Sequence, residues 1–150
     1  MSIARASRIR NEMCFIRICI DGYDHGEIRG RLFNAYYRDA LFFDSGMEMI
    51  RKLDEIFETF GYPHATMDLR SFETEEEKAE HEPVMRIRMA PTQELFKHNA
   101  HGELATLRMR VMFRQNASWQ GTVRWVEEEL EESFASVLEL LLLIDSIFAD

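Results

Sequence analysis

The chain is short of the residues from which small proteins build covalent or metal-held frameworks. It has two cysteines in 150 residues, Cys14 and Cys19. They are five apart on one predicted strand, so they point to opposite faces and cannot bridge each other within it. Both are expected to be reduced. The histidines, His25, His64, His81, His98 and His101, are scattered, and His98-Asn99-Ala100-His101 lacks the third ligand and the helical context of a zinc site. No glycine-rich loop stands between a predicted strand and a helix, so the central element of nucleotide-binding folds is missing and no cofactor is expected. Positive charge is also scarce. Eighteen Lys and Arg face 27 Asp and Glu, for a net charge of −9, which argues against general nucleic-acid or anionic-membrane binding. Long apolar runs are absent too: Leu138 to Ile147 is broken by Glu139 and Asp145 and is too short to span a bilayer. At the N-terminus Arg5, Arg8, Arg10 and Asn11 interrupt any signal-peptide pattern. The expectation is a soluble cytoplasmic protein of one domain, 46% hydrophobic and able to bury a core without staples.

What the chain does have is a unit written twice. Repeat one runs over about 13–60 and repeat two over about 104–150, in register at a constant offset of 91 positions. Arg17/Arg108, Gly30/Gly121, Phe43/Phe134, Ser45/Ser136, Glu48/Glu139, Asp54/Asp145, Ile56/Ile147 and Phe57/Phe148 are identical, and apolar residues exchange for apolar ones between them. Such self-similarity speaks about architecture before anything else.

Within repeat one, Ile16, Ile18 and Ile20 alternate with Arg17 and Cys19, which predicts a half-buried strand over Cys14 to Ile20. Asp21 to Gly26 carries turn chemistry. A strand over Glu27 to Phe33 follows, where Gly30 marks a bulge or a close approach of another backbone. A short strand over Ala40 to Phe43 leads to Ser45 and Glu48, spaced as a capping box that opens a helix, and Gly61-Tyr62-Pro63 closes it. Repeat two gives strands over Leu107 to Phe113 and Gln120 to Val126, a short strand ending at Phe134, and the capping box Ser136/Glu139. The connecting segment, 61–103, holds an acidic loop from Glu73 to Glu82 and one or two strands, one of them over Val84 to Met89. Consecutive hairpins followed by capped helices predict an α+β fold in two layers. Its sheet is antiparallel, with both helices on one face and the strand-strand-strand-helix units related by a pseudo-twofold axis.

Four features bear on function. If the isoleucines and their counterparts face the helices, Arg17, Arg86, Arg88, Arg108 and Arg110 line the other face, either in cross-strand pairs with acids or as a platform for an anionic ligand, RNA or an acidic protein segment. The segment Arg114, Gln115, Asn116, Trp119, Gln120 reads as an amide-rich hairpin loop beside an indole, able to stack on and hydrogen-bond a ligand, or to cap its own backbone. Asp54 and Asp145 occupy the same mid-helix position despite the poor helix propensity of aspartate. They are either boundary residues paired to a donor or a carboxylate pair across the pseudo-symmetric interface. Finally, Leu142 and Leu143 replace Arg51 and Lys52, so the C-terminal helix is apolar nearly all round. It must either sit centrally or form a homodimer interface, and a homodimer is the expectation.

The run Phe113-Arg114-Gln115-Asn116-Ala117-Ser118-Trp119-Gln120-Gly121, with the terminal Leu138-Glu139-Leu140 and Ile144-Asp145-Ser146, resembles a group of short bacterial proteins. The resemblance extends to Gly30-Arg31-Leu32-Phe33 and the Met47 to Phe57 helix, covers most of the chain, and implies no activity and no site. The function expected is therefore that of a small non-enzymatic binding or adaptor protein, recognising a protein or anionic partner through the arginine face or the 114–120 loop. A small enzyme or ligand sensor at the pseudo-symmetric interface is the alternative. An acidic inhibitor that mimics nucleic acid comes third, on net charge and the Glu73 to Glu82 run.

Overall fold

The structure, a computed structural model, describes residues 14–34, 36, 40–61, 100–115 and 118–149. The strand expected over Val84 to Met89 with Arg86 and Arg88, the acidic loop, and Asn116 lie outside the described residues. The elements follow in the order β1 (Phe15–Asp24), β2 (Glu27–Phe33), β3 (Leu41–Phe43), α1 (Gly46–Phe60), β4 (Ala105–Gln115), β5 (Ser118–Trp125), β6 (Leu130–Phe134) and α2 (Val137–Phe148).

The six strands form one antiparallel sheet in the order β3-β2-β1-β4-β5-β6. This is an α+β fold in two layers. Strands β1 and β4 pair at its centre, with Arg17 directly opposite Arg108, and Ile16 and Ile18 opposite Met109 and Leu107. The other pairings recur at the same offset as the sequence repeat. Ile20 pairs Gly30 as Val111 pairs Gly121, and Gly30 pairs Phe43 as Gly121 pairs Phe134.

Both hairpins are longer and tighter than their turn chemistry predicts. Asp21 to Gly22 is a bulge inside β1 rather than the start of a turn, and pairing resumes through Asp24. Only His25 and Gly26 turn, at φ 52° and 79°, the two left-handed residues that match the twist of a two-residue hairpin. A corresponding bulge between Val111 and Phe113 lets β4 run on to Gln115. The bulges explain the glycines opposite them. A Cβ on Gly30 would stand 1.9 Å from the carbonyl oxygen of Cys19, and one on Gly121 would stand 1.9 Å from that of Arg110, so only glycine permits the approach.

The alternating apolar side chains of β1, β2, β4 and β5 meet Met49, Leu53, Ile56 and Phe57 of α1 and Leu140 and Ile144 of α2 in one core. Each helix starts on its serine: Ser45 Oγ accepts from the amide of Glu48 at 3.1 Å and Ser136 Oγ from that of Glu139 at 3.0 Å. The reciprocal half of the capping box differs between them. Glu139 accepts from the amide of Ala135 at 3.4 Å, whereas Glu48 turns to Lys52 at 3.3 Å. Helix α1 ends on Gly61 at φ 65°. Among the described residues no helix is long and apolar enough to cross a membrane.

Candidate functional site

The two mid-helix aspartates have partners, and the partners correspond. Asp54 on α1 accepts from Arg114 Nη1 at 2.9 Å, at the far end of β4, while Glu58, one helical turn on, accepts from Nη2 at 2.9 Å. Asp145 on α2 accepts from the hydroxyl of Tyr23 at 2.9 Å, at the far end of β1. Tyr23 and Arg114 are themselves 91 positions apart, so each helix is tied to the central strand of the other half. Rings accompany both ties: Arg114 lies 5.5 Å from the Phe57 ring, and Tyr23 stacks on Phe148 at 4.7 Å. Because β1 and β4 run antiparallel, these ties stand at opposite ends of the sheet. The aspartates therefore do not face each other across a shared cleft, and a carboxylate pair at the pseudo-symmetric interface is not formed.

Ionisation at these sites follows from surroundings. Burial raises the pKa of Asp54, Arg114 offsets this in part, and the neighbouring Glu58 carboxylate adds to the rise. The Asp145 hydrogen bond raises the pKa of the Tyr23 hydroxyl. The two cysteines are free and buried. Burial pushes the Cys14 thiol up to about 12 despite the nearby Arg110 and Arg114, and raises that of Cys19, so neither is poised as a nucleophile. Among the described residues no three His, Cys, Asp or Glu side chains are grouped to hold a metal ion.

The expected amide loop is mostly strand. Arg114 and Gln115 end β4, and Ser118, Trp119 and Gln120 begin β5, leaving 116–117 between them. Arg114 is 4% exposed and Trp119 packs edge-on against Phe57 at 5.6 Å. Both serve the core, while Gln120 is exposed.

The arginine face divides into used and available members. Arg17 donates to the carbonyl of Ala100 at 2.5 Å, and Arg31 forms a two-pronged pair with Asp21 at 2.9 and 3.1 Å. Arg108 and Arg110 lie over the ring of Phe15 at 4.3 and 5.5 Å. A row now appears that the sequence did not suggest: Arg17, Arg108 and Arg124 stand directly opposite one another on β1, β4 and β5. Arg108 and Arg124 are exposed and form no ion pair among the described residues, although Glu131 of β6 stands directly opposite Arg124 in the ladder. Arg124 could have been found from alternation in β5, since Val123 faces the core and its neighbour must face away.

On the helix face, α2 is the less buried of the two. Leu138 and Leu142 are 65% and 59% exposed, and Leu143 is half-buried. The central position considered for this helix is therefore not adopted. A groove of about 270 Å³ opens between α2 and the β4-β5-β6 side of the sheet, lined in part by Trp125, Leu130, Glu132, Leu143 and Ser146.

Fold and site together define a two-layer α+β protein with a row of like charges on the sheet face turned away from its helices. Compared with models of protein families, with curated proteins and with solved structures, the chain matches none.

Proposed function

We propose that this is a small non-enzymatic binding or adaptor protein that holds an acidic segment of a partner protein on the outer sheet face, at Arg108 and Arg124. The row Arg17-Arg108-Arg124 carries the reading. Like charges directly opposite each other on neighbouring strands oppose pairing, and an anion lying across the row relieves that repulsion while accepting charge-assisted, two-pronged hydrogen bonds. The overall charge of −9 favours a short acidic segment over a long polyanion such as nucleic acid, which the rest of the surface repels. The test is an array of acidic and phosphorylated peptides, with hits titrated by calorimetry. Arg108→Ala with Arg124→Ala is expected to weaken binding at least ~30-fold, for about 2 kcal/mol lost, and rising salt to weaken the wild type. Equal affinity of wild type and double variant overturns the reading.

A second reading concerns self-association. The exposed Leu138 and Leu142 on α2 support a homodimer formed through the C-terminal helix. Leu138→Lys with Leu142→Lys is expected to halve the mass measured by light scattering while leaving the circular dichroism unchanged. An unaltered mass removes the argument.

A further inference from the structure

The row of arginines on the outer sheet face ends on an acid. Arg17 pairs Arg108, Arg108 pairs Arg124, and Arg124 pairs Glu131 of the edge strand β6. Residues directly opposite each other in an antiparallel ladder share a face of the sheet. Val123, beside Arg124, is buried in the core, so the row, Glu131 included, points away from the helices. It crosses four strands as three guanidiniums followed by one carboxylate. Opposite charges facing each other across a ladder commonly close into a pair, yet Arg124 and Glu131 are both exposed and form no ion pair among the described residues. Arg17 donates through Nε to the carbonyl of Ala100, which leaves its terminal nitrogens as donors for a ligand. Arg108 stacks on the ring of Phe15 at 4.3 Å, and this restrains its rotamers before any ligand arrives.

Strand spacing decides what form of chain matches the row. Neighbouring strands lie about 4.8 Å apart, so the row from Arg17 to Glu131 spans about 14 Å. Alternate residues of an extended segment lie about 6.6 Å apart and overrun the row by about 5 Å at the third step. Successive turns of an α-helix rise about 5.4 Å and overrun it by only about 2 Å, which long side chains absorb. A helix laid across the strands therefore sets one residue of each turn over one member of the row. Its matching face carries acids at i, i+4 and i+7 and a lysine or arginine at i+11. That order agrees with the helix macrodipole, which favours acids in the first turn and a base in the last.

We infer that the acidic segment held on this face is a helix of a partner protein, laid across β1, β4, β5 and β6, and that Glu131 selects segments whose acidic face ends in a basic residue. The inference rests on the acidic-segment reading and adds to it the form of the segment and the residue that chooses among acidic partners.

The experiment titrates the full chain, by fluorescence anisotropy at low salt, with labelled alanine-based peptides of about 18 residues, long enough to populate helix. All carry Glu at i, i+4 and i+7, and they differ at i+11, which is Lys or Glu. The wild type is expected to prefer the Lys peptide at least ~5-fold, because the exchange turns one exposed attraction into a repulsion. Glu131→Lys is expected to reverse the order. Glu27→Lys makes the same change in net charge at the hairpin end of β2 and is expected to keep the wild-type order. A peptide with the composition of the Lys peptide but its charges scattered around the helix is expected to bind at least ~5-fold more weakly. Equal affinity of the wild type for the Lys and Glu peptides overturns the inference, as does an unchanged order in Glu131→Lys or a scattered peptide that binds as tightly as the ordered one. In each of these cases the acidic-segment reading stands if Arg108→Ala with Arg124→Ala still weakens binding. Should none of the helical peptides bind, the inference falls, and the peptide array decides the acidic-segment reading separately.

Discussion

At the scale of single residues, the informative positions are those where one side chain answers to two halves of the chain. Asp54 shares Arg114 with Glu58, and sharing has a consequence for pH. With its pKa raised chiefly by burial, Asp54 takes up a proton more readily folded than unfolded. Its contribution to stability therefore rises as pH falls through the folded pKa, from neutral pH towards the ordinary aspartate value of 3.8. Denaturant melts of wild type and Asp54→Asn are expected to show the wild type gaining on the variant over that range. A carboxylate held mainly by its ion pair runs the opposite way, and a relative loss on acidification would reject the account. Gly30 and Gly121 give a second test at this scale. Alanine at either position forces its Cβ into a backbone carbonyl at 1.9 Å, and a loss of about 2–4 kcal/mol in chemical denaturation is expected. A loss under about 0.5 kcal/mol would mean that the bulge relaxes freely.

At the scale of elements, the two helices share a cap but differ in burial. Four residues of α1 are buried, Met49, Leu53, Ile56 and Phe57, against Leu140 and Ile144 on α2. Helical periodicity made both elements visible in the sequence, and Ser45/Glu48 and Ser136/Glu139 located their starts. The depth at which each helix sits depends on what the opposing strands present, which no helical pattern contains. Here Trp125 and Glu132 line the groove beside α2, at the positions that Asn34 and Leu41 hold in the first half. Amides of α2 and of the edge strand β6, whose residues are exposed up to Phe134, are expected to exchange with solvent before those of α1 and β1. Equal protection of the two helices by hydrogen exchange would contradict this. The hairpin from 114 to 120 departs from its sequence pattern for a related reason. Its amide-rich composition reads as loop, yet the bulge after Val111 carries pairing to Gln115 and Ser118, and a bulge is a property of two strands together.

At the scale of the molecule, the sequence by itself determined the α+β class, the order of the strands and helices, the helix caps, the apolar face and the glycines at both bulges. These rest on local chemistry and on periods of two and 3.6 residues, which a chain carries without reference to its folded partners. The tertiary structure alone decided which half touches which. The central pairing of β1 with β4 brings Arg17 against Arg108 and adds Arg124 to the row. The same pairing sends the ends of these strands outward, so that Asp54 meets Arg114 and Asp145 meets Tyr23 instead of each other. A side chain's partners across 60 or 122 positions are set by strand order and register, and these are fixed only when the whole sheet closes around one core.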